Sequence, residues 1–397
     1  MAVASMVEHP RSAARAHVSR RALDLHRLLL RLALAGAHVF AWIFVFQYFS
    51  SISVDMGHAF ARTGLLYALA QTITALITPY AARSLGHGAR RALIAATIVA
   101  ALAFAMLGLV FAGFLPSTYA IFGITAFALL IGLYRALYWV PYETEAHDTK
   151  KQTLGSAGQV AVVFVPLVVG IFLASNTWAP AWLLCVAALL IVFSAMPLRR
   201  LGEVHERFSW GYRETFAELA SPENRLIVRR AFFEGATGAA LLFLWPIAIF
   251  LIVGWSYGML GIIISISLLA AIFLRNIVRT FFRRVRISES GLLNSVLVIS
   301  PWIFRLAVAT PLGIVLVDSY FYATTPKRLG MDPIIFDQVG DGGSFIDEYT
   351  ALKEIALALG KIAMCGFAAW LALIVSLPIA FIGAFLAAAL TSMLAVI

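Results

Sequence analysis

The stretch TGLLYALAQTITALITPYAARSLGHGARRALIAATIVAALAFAMLGLVFAG, residues 63–113, decides the fold. It is an apolar run, a short basic gap and a second apolar run. A bilayer core takes about 20 apolar residues per helical crossing, and each run is long enough for one. Arg83, Arg90 and Arg91 stand in the gap. Lys and Arg in short loops mark the cytoplasmic side. Working outward in both directions, apolar runs continue from Leu28 to Ile397, and the gaps between them alternate between basic and bare.

Twelve crossings fit this beat: 28–50, 63–83, 91–113, 118–140, 155–175, 179–196, 231–252, 256–274, 288–303, 304–323, 355–376 and 378–396. Residues 287–323 are divided in two with the turn at Pro301, since a single crossing would put basic runs on opposite sides. The last tract breaks at Pro378 for similar reasons. Nearly all of the 30 Lys and Arg then face inward. Arg62 alone falls clearly outside, and Arg135 and Arg305 lie within spans. Trp178, Trp182, Trp255 and Trp302 sit near the outer ends, as an interfacial aromatic belt does.

Composition agrees. The chain is 62% hydrophobic and 13% charged, where soluble domains carry roughly 25% charged residues. The net charge of +10 sits in short loops, which argues for membrane orientation and anionic lipid contact rather than nucleic acid. Cys185 and Cys365 lie inside apolar runs and carry no disulfide or metal spacing. The expected class is an all-α polytopic membrane protein with both termini cytoplasmic.

The chain divides into a basic N-terminal tail (1–27), a six-helix half (28–196), a charged cytoplasmic linker (197–228) and a second six-helix half (229–397). Phe208, Tyr212, Phe216 and Leu219 predict an amphipathic surface helix in the linker.

This layout resembles the major facilitator superfamily. The gap Pro79-Tyr-Ala-Ala-Arg83-Ser-Leu-Gly86-His-Gly-Ala-Arg90-Arg91 is similar to that family's loop signature, with Ala82 about where its acid belongs. Tyr134-Arg135-Ala-Leu-Tyr138-Trp139-Val-Pro141-Tyr142-Glu143 looks like the Arg-bearing fourth helix of some bacterial members. The resemblance implies two halves rocking about a central site lined by helices one, four, seven and ten. It also implies gating by the loop of Arg83, Gly86, Arg90 and Arg91.

Charges in a membrane are costly and mark function by default. Arg135, Glu234 and Asp318 are expected at the inner mouth of a cavity, the acids pairing with Arg135 during gating. Lys361 lies at similar depth, and the place of Arg305 depends on where the tract 287–323 turns. His38 is the proton-linked candidate, because histidine titrates near neutrality; a neutral interhelical hydrogen bond is its plainer role. Gln71, Tyr134, Tyr138 and Trp245 are binding candidates. Glu143, Glu145, His147 and Asp148 read as a solvated loop rather than a metal site, and no cofactor motif is present.

Three readings follow. The first is a secondary active or facilitative transporter of a small solute, with a lean to an anion or amphiphile and a possible coupling proton or ion. The second is a non-transporting scaffold or assembly protein of the same shape. The third is a membrane-embedded transferase, for which the outer side offers only Asp55 and His58. Membrane lipid is an expected partner, and a bacterial inner membrane the expected location.

Overall fold

A computed structural model of the chain describes residues 10–148, 156–205, 208–285, 291–324, 331–332, 337–338 and 346–396. Backbone in lipid finds no bonding partner but itself, so the apolar runs close their hydrogen bonds as helices. In chain order these are α1 (Pro10–Ile52), α2 (Met56–Arg83), α3 (Ala89–Phe111), α4 (Ser117–Asp148), α5 (Ser156–Ser175), α6 (Ala179–Leu198), α7 (Tyr212–Glu218), α8 (Arg225–Ala239), α9 (Trp245–Ile252), α10 (Tyr257–Val285), α11 (Gly291–Leu306), α12 (Pro311–Thr324), α13 (Ile346–Ile374) and α14 (Leu377–Val396). A small antiparallel pair, β1 (Met331–Asp332) and β2 (Asp337–Gln338), precedes α13. Among the described residues ten helical segments are long and apolar enough to cross a membrane, and the chain is an integral, multi-pass membrane protein.

Three boundaries differ from expectation. Helix α1 starts at Pro10, so it runs back through much of the segment expected as a tail. Helices α11 and α12 take the place of the ninth and tenth crossings, but Pro301 lies inside α11 and the turn falls at 307–310. Thr310 caps α12 through the Gly313 N–H at 3.2 Å, with Pro311 next to it. A polar cap followed by proline is a helix-start signal, and it was legible in the sequence. The third difference is in the seventh crossing. Between α8 and α9 the segment Ala240–Leu244 winds as a π-helix, just before Pro246, which has no N–H to give. Such bulges often mark functional sites.

The first half packs α3 on α4 and α6, α2 on α4, and α1 on α6; the second packs α13 on α8, α10 on α12, and α11 on α14. The halves meet along two seams, α2 against α13 and α5 against α10. Small residues let these backbones approach. A Cβ at Gly57 would strike the Ala372 carbonyl, and one at Gly261 the Pro166 carbonyl. The Leu167 N–H donates to Ser265 Oγ at 2.9 Å across the second seam. Phe122, Val168, Leu316 and Leu390 are exposed on the outside of the bundle, as side chains facing lipid should be.

The linker does not form a long surface helix. Helix α7 has seven residues. Phe216 and Leu219 pack on Ala75 of α2 and on Ile355 and Ala358 of α13, and Tyr212 meets Tyr80 at 4.6 Å between ring centres. The apolar face predicted for lipid is spent bridging the two halves.

Candidate functional site

The second crossing and α13 lie antiparallel, so successive turns pair in register. Gly64 faces Cys365, and Ala75 packs on Ile355 and Ala358. Lys361 of α13 lies between these levels and is 3% exposed. The charge of Arg135, from α4, reaches Lys361, His38 of α1 and Tyr67 of α2. Arg135 Nη2 stands 3.6 Å from Glu354 Oε2, an ion pair that joins the two halves. That separation is beyond hydrogen-bond range, and neither Glu354 oxygen accepts a hydrogen bond among the described residues. Lys361 has no carboxylate within ion-pair distance among them. With Lys361 protonated and His38 neutral, two cations share one acid, an excess of one positive charge.

The same place holds further unmatched polar atoms. Trp42 and Gln71 are each 2% exposed, and the Trp42 indole N–H and the Gln71 Oε1 have no hydrogen-bond partner among the described residues. Gln71 follows Tyr67 by one helical turn, so both lie on one face of α2. Trp42 packs against Tyr67 at 5.0 Å, Phe127 at 5.4 Å and Phe243 at 5.8 Å. Phe243 comes from the π-helical segment and stacks on Tyr67 at 4.6 Å. Both halves thus contribute rings and charges to one locus.

A second buried ion pair belongs wholly to the second half. Arg305 Nη2 donates to Asp318 Oδ1 at 2.8 Å. The Trp245 indole N–H sits 2.9 and 3.0 Å from the two Asp318 oxygens. The guanidinium lies over Trp302 at 4.3 Å, Phe321 at 4.6 Å and Trp245 at 4.9 Å. Asp318 and Arg305 were not expected to be partners. Moving the turn to 307–310 keeps Arg305 helical and turns it onto α12, which supplies the partner its burial demands. Trp302, expected at the interface, is fully buried for the same reason. A cavity beside this pair is lined by Val39, Trp245, Ile249, Leu268, Asp318 and Tyr322.

Solved structures share this helical fold. A D-xylose-proton symporter matches with a TM-score of 0.58 and 15% identity, over 93% of this chain and 96% of that one. The nucleoside transporter NupG matches at 0.60 and 14%, over 95% and 98%. A bacterial homologue of the human drug peptide transporters PepT1 and PepT2 matches at 0.61 and 11%, over 96% and 97%. The fold is that of the major facilitator transporters. No protein-family profile matches the chain, and no curated protein matches it by sequence.

Within the major facilitator fold the loop after α2 is held by the linker. Arg90 pairs with Glu203, and its Nη1 donates to the Leu201 carbonyl at 3.1 Å. Arg91 lies 3.9 Å from the same carboxylate, and Arg83 donates to the Trp210 carbonyl at 3.4 Å. Glu203 thus brings an acid from the linker to a loop that has none of its own. Gly86 has open space around it; the glycine the turn needs is Gly88, at φ 111°, where a Cβ would strike Glu203. The linker is tied onward to α13, since the Ser209 hydroxyl donates to Glu348 Oε1 at 2.7 Å.

Several expected residues sit elsewhere. Glu234 pairs with Arg230 of its own helix at 3.0 Å rather than with Arg135. Tyr134 and Tyr138 line a cleft between α1 and α4 together with Arg27, Arg31, Trp139 and Tyr142. His26, which sequence reasoning passed over, bonds the Tyr138 hydroxyl at 3.0 Å and the Ser194 carbonyl at 2.7 Å. Glu143 and Glu145 are buried within α4 instead of lying in a solvated loop. Among the described residues no three His, Cys, Asp or Glu gather into a metal site. Asp55 and His58 form a helix cap: Asp55 accepts from the His58 backbone at 2.8 Å, with the His58 ring 2.9 Å away. Those bonds account for both groups without catalysis.

Proposed function

We propose that this chain is a secondary transporter of a small anionic solute, with its site at Arg135, Lys361, His38 and Gln71. One observation carries the reading: the buried Lys361 and the partly buried Arg135 face one loosely held acid between the halves. A buried charge without a partner is costly, and a ligand's acid group supplies one. That group competes with Glu354 for Arg135. The pair ties the first half to the second, so the exchange links ligand entry to the fit between the halves, which is what alternating access requires. His38 and Glu354 are the protonatable groups facing the ligand, and a coupling proton would sit there. The loop of Arg83, Arg90 and Arg91 acts as a latch on the linker at the basic end. The location we favour is a bacterial inner membrane.

The test is uptake into proteoliposomes, with and without a pH gradient, alongside ligand-induced thermal stabilisation. A ligand that binds only the folded state raises stability. Uptake of an organic anion that Lys361→Met abolishes supports the proposal. The second reading, a non-transporting scaffold, is favoured by the rings that fill the centre. It predicts no uptake of any solute, and no stabilisation.

A further inference from the structure

We infer that the solute is a planar aromatic monoacid bearing one additional hydrogen-bond donor, such as a hydroxybenzoate. This rests on the proposed transporter reading and names the substrate class of the same site. The charge excess at Arg135 and Lys361 matches one anionic group, not two. The walls around it are rings, from Trp42, Tyr67, Phe127 and Phe243, with centroids 4.6 to 5.8 Å apart. At these distances the rings touch one another, so a ligand ring enters only as one of them moves aside, and it then meets its neighbours in offset or edge-to-face contact.

Two unmatched polar atoms define the rest of the ligand. The Trp42 indole N–H can only donate, and the Gln71 Oε1 can only accept. Both are buried without a partner among the described residues. A buried group left unpaired costs more than its paired state returns, so a ligand with one acceptor for Trp42 and one donor for Gln71 fits both. A sugar acid fits poorly. Its several hydroxyls each need a partner, and the locus offers few polar atoms against many aromatic ones. An alkyl acid leaves Gln71 unmatched. The π-helical turn that carries Phe243 lies directly on this wall, and a change in its winding would shift that ring to admit the ligand's ring.

The purified full chain is tested by thermal stabilisation and calorimetry with four probes: para-hydroxybenzoate, hexanoate, glucuronate and phenol. Para-hydroxybenzoate is expected to bind at least tenfold more tightly than hexanoate or glucuronate, and phenol weakly. Trp42→Phe keeps the ring and loses the N–H; it is expected to weaken para-hydroxybenzoate about tenfold and leave hexanoate unchanged. Gln71→Leu is expected to weaken para-hydroxybenzoate about tenfold and leave hexanoate unchanged. Elution as a single folded species controls for both variants. Equal binding of all three anions, or no effect of Trp42→Phe and Gln71→Leu, overturns the substrate class and leaves anion transport standing. Binding of no anion at all overturns both.

Discussion

Arg305 and Asp318 meet at 2.8 Å inside one half, with three rings around the guanidinium and an indole N–H on the carboxylate. Arg135 and Glu354 meet at 3.6 Å between the halves, with no hydrogen bond to the acid among the described residues. Both pairs join an arginine to an acid in a membrane protein's interior. The first has its partners in one rigid unit, and the interactions around it support one another. The second has its partners on opposite sides of a seam, and a neighbouring lysine leaves it one acid short. The Asp318 carboxylate is filled, while Arg305 Nε and Nη1 lie among rings with no hydrogen-bond partner among the described residues; a directly bonded pair holds structure, because removing either partner leaves a buried charge alone. A loosely paired one can exchange its partner for a ligand's charge.

The sharpest way to break this comparison is to remove the acid of the directly bonded pair. Asp318→Ala strands Arg305 and should destabilise the protein by about 3–5 kcal/mol, the usual cost of breaking a buried pair. Folded yield and melting temperature read this directly. The double variant Arg305→Met, Asp318→Leu should recover most of the loss, since it removes both charges together. If Asp318→Ala melts like the wild type, the pair is not structural and the contrast fails.

Removing the surplus cation of the other cluster should do the opposite. Lys361→Met should leave the melting temperature unchanged or raised, because it deletes a buried charge without a close partner. Anion affinity should fall at least about tenfold, given about 1.5–3 kcal/mol for a hydrogen bond to a charged group. A large loss of stability in Lys361→Met would make that lysine structural too.

Two smaller effects lie away from both pairs. Glu203→Gln should loosen the latch and cost about 1 kcal/mol, the upper range for a partly exposed ion pair. Ligand affinity should hold, while the linker becomes more open to limited proteolysis. Asp55→Ala should show the smallest change. Hydrogen bonds from the His58 backbone and ring hold the Asp55 carboxyl below its ordinary value. A depressed carboxylate contributes stability above its unfolded value, about 3.9, and loses it as pH falls through the depressed one. The difference in melting temperature between wild type and Asp55→Ala should therefore be present at neutral pH and shrink in acid. A constant difference down to low pH would show that the carboxylate charge is not what the cap uses.

Run length and loop charge were enough to make the chain an all-α membrane protein of two halves, because the bilayer imposes both on sequence locally. Arg135 and His38 stood out as well, since a polar residue is conspicuous against an apolar run. Their partners did not. Lys361 looked like a residue near an interface, being close to the start of a span, and Glu354, just before that span, was not singled out. Only the pressing of α13 against α2 shows that interface to be covered. Arg305 was ambiguous because Pro301 is a strong local break, and tertiary contacts of Trp302 and Arg305 with α12 carried the helix past it. The π-helical turn and the linker's Glu203 had no local signal beyond Pro246 and a lone charge. Periodicity and charge report what each segment does against water and lipid; which buried charges meet, and which are left one partner short, depends on packing between segments more than two hundred residues apart, such as Arg135 and Glu354.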